Sequence, residues 1–112
     1  MVTTDFGTTS DLATCVAIQV VGGQTKIVVG GYTGNGSERD FALARYNATD
    51  GSLDTAFDGD GKVTTDFVTG GPDDDRLYGI AIQAEGKVVA VGSAYFGPDL
   101  GYDLALARYD AI

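Results

Sequence analysis

The stretch Asp40-Phe-Ala-Leu-Ala-Arg-Tyr46 decides the fold, because it returns later in the chain as Asp103-Leu-Ala-Leu-Ala-Arg-Tyr109. The N-terminal stretch Val2-Thr-Thr-Asp-Phe6 also recurs, unchanged, as Val63-Thr-Thr-Asp-Phe67. Two further blocks recur in the same order, Ala17-Ile-Gln19 as Ala81-Ile-Gln83 and Lys26-Ile-Val28 as Lys87-Val-Val89. Four blocks repeated in order predict two tandem copies of one structural unit.

The recurring blocks have the composition of β-strands. They are short, mostly rich in apolar or β-branched residues, and bounded by glycine and polar residues. Glycine occurs 17 times among the 112 residues, which disfavours long helices. The predicted strands are Val2–Phe6, Cys15–Val20, Lys26–Tyr32, Phe41–Tyr46, Val63–Phe67, Tyr78–Gln83, Lys87–Ser93 and Leu104–Tyr109.

Several predicted strands are apolar at consecutive positions, which is typical of a sheet covered on both faces. Because no segment has a convincing helical pattern, neighbouring sheets must provide that cover, and radially stacked four-stranded blades do so. The predicted fold class is therefore all-β, with two four-stranded antiparallel blades of a β-propeller. Residues 1–112 are expected to form a single propeller segment, with repeat 1 at about 2–62 and repeat 2 at about 63–112.

At these blocks the sequence resembles the bacterial delta-sixty repeat family. The matching segments are Asp40–Asn47, Gly51–Phe57, Gly59–Phe67, Ile80–Gln83 and Gly86–Val89. The resemblance implies a β-propeller fold, but it implies no common catalytic or binding residues. Two units are fewer than the roughly four to eight blades of a closed propeller, which puts a monomeric state in doubt.

The repeat boundaries predict how a ring could close. If the strands of a blade are lettered A to D from the inside outwards, the chain begins on a D strand and ends on a C strand. The predicted closure residues are Val2, Thr3, Thr4, Asp5, Phe6, Leu104, Leu106 and Arg108. Head-to-tail pairing of these ends in a homo-oligomer would give six blades from a trimer or eight from a tetramer. The alternative is a fragment of a longer propeller.

Charge and composition disfavour several classes of partner. Sixteen acidic and seven basic residues give a formal net charge of −9, which disfavours binding to nucleic acid or to anionic membranes. No apolar run is long enough for membrane insertion, and no signal peptide is visible at the N-terminus, so the localisation is unknown. The single cysteine, Cys15, lies in an apolar run and is interpreted as a buried, inert thiol.

Few residues indicate a catalytic or metal-binding function. Histidine is absent, which removes Ser-His and Cys-His nucleophilic systems, and no catalytic residue is predicted. Asp54, Asp58 and Asp60 surround a glycine turn and could offer oxygen ligands to Ca²⁺. The glutamate of an EF-hand-like loop is missing, so we interpret this segment as a solvated turn and predict no cofactor.

Two arginines, Arg45 and Arg108, occupy equivalent places inside otherwise apolar strands. A buried charge must be paired, so we interpret them as members of structural ion pairs between blades rather than as ligand-binding residues. The candidate partners are Asp5, Asp40, Asp66 and Asp103.

The loops at one end of the predicted ring are the expected place for a protein or carbohydrate ligand. The candidate ligand residues are Asp73, Asp74, Asp75, Arg76, Tyr95, Phe96 and Tyr102. These observations favour a non-enzymatic structural or binding scaffold. The alternative is a propeller-type hydrolase or lyase whose acidic loop residues surround a central channel.

Overall fold

The computed structural model of the chain describes residues 1–35, 38–67 and 74–111. Over these residues the chain forms two antiparallel sheets and no helix. The first sheet contains β1 (Ser10–Val21), β2 (Gln24–Asn35), β3 (Glu38–Asn47) and β4 (Lys62–Thr65), and the second contains β5 (Arg76–Ile82), β6 (Val88–Tyr95) and β7 (Tyr102–Tyr109). Strands adjacent in sequence are also neighbours in each sheet. The all-β prediction is confirmed, and the described part of the second sheet has three strands rather than four.

Tight turns with glycine join the first two strands of each sheet. Gly22 and Gly23 both have positive φ, 57° and 79°, and form the two-residue loop between β1 and β2. Such a loop has the twist that antiparallel strands require, and glycine adopts it without steric cost. In the second sheet Gly86, with φ 93°, closes the turn from β5 to β6 by donating its N–H to the carbonyl of Gln83 at 2.8 Å.

A β-bulge interrupts the first strand of each sheet, β1 or β5, here called the inner strand, at an equivalent position. The register shifts between Ala13 and Cys15 in β1, and between Leu77 and Gly79 in β5. The bulge brings a backbone carbonyl of the inner strand against a glycine of the neighbouring strand, Gly31 in one sheet and Gly92 in the other. The same irregularity therefore occurs in both copies of the sequence pattern.

The apolar core lies between the two sheets. Val28, Phe41, Leu43 and Phe57 of the first sheet and its connecting loop are almost completely buried. Their partners in the second sheet are Leu77, Val88, Ala90, Ala94 and Ala105. The inner strand β5 contacts β1, β2 and β3, so the second sheet lies face to face on the first. Each sheet is thus covered by the other on one face.

Val2–Phe6 is the predicted strand that the structure does not contain. This segment has no strand assignment, although its sequence is identical to that of Val63–Phe67, which overlaps β4. Within the described residues, no helix is long and apolar enough to cross a membrane.

Candidate functional site

The N-terminal segment Val2–Phe6 lies against the first sheet through a contact that recurs in the second sheet. The hydroxyls of Thr4 and Tyr46 are hydrogen-bonded at 2.5 Å. The hydroxyls of Thr65 and Tyr109, the equivalent residues of the second copy, are also hydrogen-bonded. Thr65 belongs to β4, the outer strand of the first sheet, and reaches across to β7 of the second.

A backbone contact repeats in the same way. The N–H of Phe6 donates to the carboxylate of Asp11 at 3.1 Å, and the N–H of Phe67 donates to that of Asp75 at 2.9 Å. Val2–Phe6 is therefore placed relative to the first sheet as Val63–Phe67 is placed relative to the second. Lys62 adds a further contact, because its Nζ donates to the carbonyl of Asp5 at 2.9 Å.

The remaining predicted closure residues lie on β7, which pairs with β6 in the described part of the chain and has no strand on its other edge. Leu104 and Leu106 are 85% and 56% exposed, and Arg108 is also exposed. The structure does not bring these residues together with Val2–Phe6. The two groups remain separate surfaces of one chain.

The face of the first sheet that points away from the second sheet is apolar and open. Val16, Ile18 and Val20 project from β1 and are each at least 60% exposed. Between this face and the N-terminal segment lies a cavity of about 380 Å³, whose walls include Val2, Phe6, Val29, Ala42 and Tyr46. Isolated exposed apolar residues are ordinary, but these three lie on one strand face beside the cavity.

Three of the loop residues selected as ligand candidates, Arg76, Tyr95 and Tyr102, come together around Asp74, whereas Asp75 is fully buried. Its carboxylate accepts hydrogen bonds from Arg76 at 2.9 and 3.0 Å, from Arg39 at 3.1 Å and from the Tyr102 hydroxyl at 2.8 Å. The ring of Tyr102 packs against that of Tyr95, with 4.9 Å between their centroids. Phe96 lies beside Tyr95 in sequence and is partly exposed, whereas Asp73 lies outside the described residues.

These donors stabilise the ionised form of Asp74. Burial would raise the pKa of this carboxyl, but the hydrogen bonds from Arg76, Tyr102 and Arg39 outweigh it and leave the pKa below its ordinary value. Tyr32 also belongs to this cluster, because the guanidinium groups of Arg39 and Arg76 lie over its ring at 6.0 and 5.6 Å. Arg39 and Tyr32 were not among the candidate ligand residues selected from the sequence.

Arg45 is the centre of a buried polar network. Its Nε donates to Asp54 at 2.8 Å, and its guanidinium lies over the ring of Phe57 at 4.8 Å. It also donates to the side chain of Gln19 at 3.2 Å and to the carbonyl of Ala111. Arg45 forms an ion pair, but within the first sheet and its connecting loop rather than between blades as predicted, and the candidate partners proposed from sequence were wrong for Arg45. The partner is Asp54, which the loop after β3 folds back onto the strand. Arg108, predicted to be equivalent, is exposed.

Asp54, one of the three residues considered as calcium ligands, therefore belongs to the ion-pair network. Lys26 contacts the same carboxylate oxygen at 3.1 Å. Asp60 accepts the backbone N–H of Lys62 at 2.9 Å, as expected of a turn residue, and Asp58 is exposed with a φ of 53°. The interpretation of this segment as a turn agrees with these contacts.

A different group of carboxylates comes together that the sequence analysis did not select as a metal site. One carboxylate oxygen each of Asp40, Asp66 and Asp75 lies within 4.8 Å of the others. Oxygen ligands in this arrangement suit a hard divalent cation. All three also make interactions within the chain, so their grouping does not require a cation. The only sequence signal was their recurrence as Asp103, Asp5 and Asp11.

The buried carboxylate of Asp54 makes stability depend on pH. Burial raises its pKa, but hydrogen bonds from Lys26 and the N–H of Ala56 and the charges of Arg45 and Lys26 outweigh burial, so the pKa lies below its ordinary value. A depressed pKa contributes stability that is complete above the unfolded-state pKa and is lost as pH falls through the folded-state value. We expect the free energy of unfolding to fall below about pH 4.

Urea unfolding at a series of pH values measures this dependence. An Asp54→Asn variant should be less stable at neutral pH and should show a shallower decline in acid. An equal decline in both proteins would contradict the assignment, while Asp58→Asn, at an exposed carboxylate, serves as the matched control.

Comparison with known proteins bears on the first sheet. A family model described as "Domain of unknown function (DUF5122) beta-propeller" matches residues 26–57, which include β2, β3 and the loop that carries Asp54. The match supports a β-propeller repeat family. No curated protein and no solved structure matches the chain. The two stacked antiparallel sheets are consistent with neighbouring blades of such a propeller.

Proposed function

We propose that this chain is a non-enzymatic β-propeller module of the delta-sixty type that acts as a structural and binding scaffold, and that its two sheets are tandem blades. Copies assemble head to tail, with Val2–Phe6 of one copy as the outer strand of the second blade of the next. Three copies make a six-bladed ring and four make an eight-bladed ring.

The repeated placement of the Val-Thr-Thr-Asp-Phe segment carries this proposal. Where the segment follows a blade within the chain, it forms β4 of that blade and its Thr65 binds Tyr109 of the next. Val2–Phe6 makes the equivalent contact with the first sheet, between Thr4 and Tyr46, but it pairs with no strand among the described residues. It therefore occupies the place of an outer strand whose own blade comes from elsewhere.

The free edge of β7 supplies the complementary half. In the first sheet Phe41 pairs with Thr65 and Leu43 with Val63. The equivalent register pairs Leu104 with Thr4 and Leu106 with Val2 of another copy. An open edge of eight residues with apolar side chains would otherwise promote uncontrolled association, because the N–H and C=O groups on the side away from β6 pair with no strand in the described part of the chain.

Two observations favour a scaffold over a propeller-type hydrolase or lyase. Asp74, the best-placed acidic loop residue, is saturated by two arginines and a tyrosine. Its pKa is lowered, whereas a general acid needs a raised one. The aromatic residues beside it, Tyr95 and Tyr102, form the proposed contact surface for a protein or carbohydrate ligand.

Light scattering on the purified chain tests the assembly. We expect a single species of three or four times the 11.6 kDa chain mass. A monodisperse monomer would refute head-to-tail assembly and would favour the alternative, in which the chain is part of a longer propeller whose neighbouring blades belong to one polypeptide.

Proline substitutions test the strand exchange itself. Proline removes a backbone donor, and ladder bonds alternate along an antiparallel pair, so either Val2→Pro or Thr3→Pro must remove one. We expect one of the two to weaken association at least tenfold in sedimentation, while Thr3→Ser leaves it unchanged. If both proline variants assemble as the parent does, Val2–Phe6 is not an exchanged strand.

A further inference from the structure

The cavity at the open face of the first sheet has a defined counterpart inside the chain. The cavity lies between Val2–Phe6 and the surface formed by Ile27, Val29 and Ala42. The equivalent surface of the second sheet consists of Val88, Ala90 and Ala105, and all three are buried. That surface has a cover within the chain, and the open face has none among the described residues.

The cover of the second sheet consists mainly of large side chains from β3. Phe41 and Leu43 are fully buried and belong to the same apolar cluster as Val88, Ala90 and Ala105. Phe67, beyond β4, packs edge-on against Phe41 with 4.8 Å between ring centroids. The residues equivalent to Phe41 and Leu43 are Leu104 and Leu106, two strongly exposed apolar side chains of β7.

We propose that the cavity of about 380 Å³ is the seat for Leu104 and Leu106 of a second copy of this chain. The inference rests on the proposed head-to-tail assembly and identifies the two faces that bury apolar surface in it. The face of β5–β7 that points away from the first sheet docks on the open face of β1–β3, as the first sheet docks on the second within the chain.

A compensating pair of residues supports this match. Cys15 and Gly30 face each other across β1 and β2, and a Cβ on Gly30 would lie 2.9 Å from the Cys15 sulfur. At the equivalent position of the second sheet, Gly79 faces Val91. In the first pair the side chain belongs to the first strand of the sheet (Cys15), and in the second pair it belongs to the second strand (Val91). Each docking face therefore has one side chain at this point.

A polar group points to the same arrangement. In the first sheet the side-chain oxygen of Gln19 accepts a hydrogen bond from Arg45, and its Nε2 donates to the carbonyl of Gly86 in the second sheet at 2.5 Å. The equivalent oxygen, Oε1 of Gln83, is buried and has no partner in the described part of the chain. Its equivalent donor, Arg108, is exposed on the uncovered face. A docked copy would cover this face and hold Arg108 against Gln83.

Charge substitution tests the seat directly. Leu104→Glu and Leu106→Glu should each weaken association at least a hundredfold, because each would place a carboxylate in an apolar cavity. Leu100→Glu is the matched control, since Leu100 is 72% exposed but lies in the loop before β7. Both test leucines are exposed in the single chain, so the variants should keep the circular dichroism spectrum of the parent. If they assemble as the parent does, the seat is wrong.

Disulfide trapping tests the direction of docking. Within the chain a Cβ on Gly30 would lie 3.3 Å from the side chain of Ile80. The equivalent pair between copies is Val91 of one and Val16 of the next, within reach of a disulfide. In a Cys15→Ala background we expect Val16→Cys mixed with Val91→Cys to form covalent dimers, and neither variant alone to do so.

The outcomes separate the two proposals. Covalent dimers from the mixture alone support the seat, while dimers from either single variant indicate a symmetric interface and overturn it. A mixture of Val91→Cys with Thr49→Cys, at an exposed loop residue, measures random oxidation. If the parent is an oligomer that the proline variants disrupt, but no Val16–Val91 disulfide forms, strand exchange stands and the seat fails. If the parent is a monomer, head-to-tail assembly fails as well.

Discussion

Replacing Arg45 with alanine is expected to lower the free energy of unfolding by about 3 kcal/mol or more. Arg45 is fully buried, and its removal leaves the carboxylate of Asp54 with Lys26 as its remaining cation. It also removes the hydrogen bond to Gln19 within the first sheet and the one to the carbonyl of Ala111, which joins the first sheet to the segment after β7. Urea unfolding at one protein concentration measures the change, because an assembling protein gains stability with concentration.

Arg108→Ala is the matched control for this experiment. Arg108 occupies the equivalent strand position and is exposed, so its loss should change stability by no more than about 0.5 kcal/mol in the monomeric state. If both substitutions lowered the free energy of unfolding equally, the buried contacts of Arg45 would contribute no more stability than an exposed arginine does. An Arg45→Met variant, which keeps the aliphatic stem, separates the polar contacts from the packing on Phe57.

Gly31→Ala and Gly92→Ala are expected to cost about 2–3 kcal/mol each. A Cβ on Gly31 would overlap the carbonyl oxygen of Leu12, and a Cβ on Gly92 would overlap that of Arg76. In both sheets the bulge of the inner strand brings this carbonyl to the neighbouring strand. The overlap is with backbone, so a change of rotamer cannot relieve it and the bulge itself must move.

Gly79→Ala provides the control for glycine removal as such. A Cβ there meets Val91 at 3.5 Å, an ordinary contact, and Gly79 has no positive φ. This substitution should be neutral or slightly stabilising, because it restricts the unfolded chain. Thermal unfolding of the three variants measures the contrast. If Gly31→Ala were as stable as Gly79→Ala, the close approach at the bulge would not be a determinant of this fold.

Much of the fold was predictable because it depends on local patterns. The strands from Cys15 to Tyr109 follow from short runs of apolar and β-branched residues separated by glycine. The pairing of β1 with β2 and of β5 with β6 follows from their short turns, such as Gly22–Gly23, whereas the longer connection from β3 to β4 does not by itself determine their pairing. The bulges were not predicted, because nothing in the residues around Thr14 and Tyr78 distinguishes a bulged strand from a regular one.

The candidate sites were less predictable because they depend on contacts between distant segments. Arg45 could be recognised as a charge that needs a partner, but its partner Asp54 lies in a loop whose path the spacing does not reveal. Asp74, Arg76 and Tyr102 were each selected for their loop positions, and only the stacking of the sheets brings Arg39 to them. The sequence shows which residues are charged and need a partner, whereas only the folded geometry shows which residues are the partners.

The two copies of Val-Thr-Thr-Asp-Phe separate what the sequence determined from what only the tertiary structure decided. In the structure both copies place a threonine against the tyrosine of a neighbouring sheet. The sequence by itself determined only that both copies have the composition of an outer strand. It could not determine that Val63–Thr65 would form a strand and that Val2–Phe6 would not. A strand forms only where another strand offers its backbone groups, and β3 does this for Val63–Thr65. The physical reason is the partner edge, which no stretch of five residues contains.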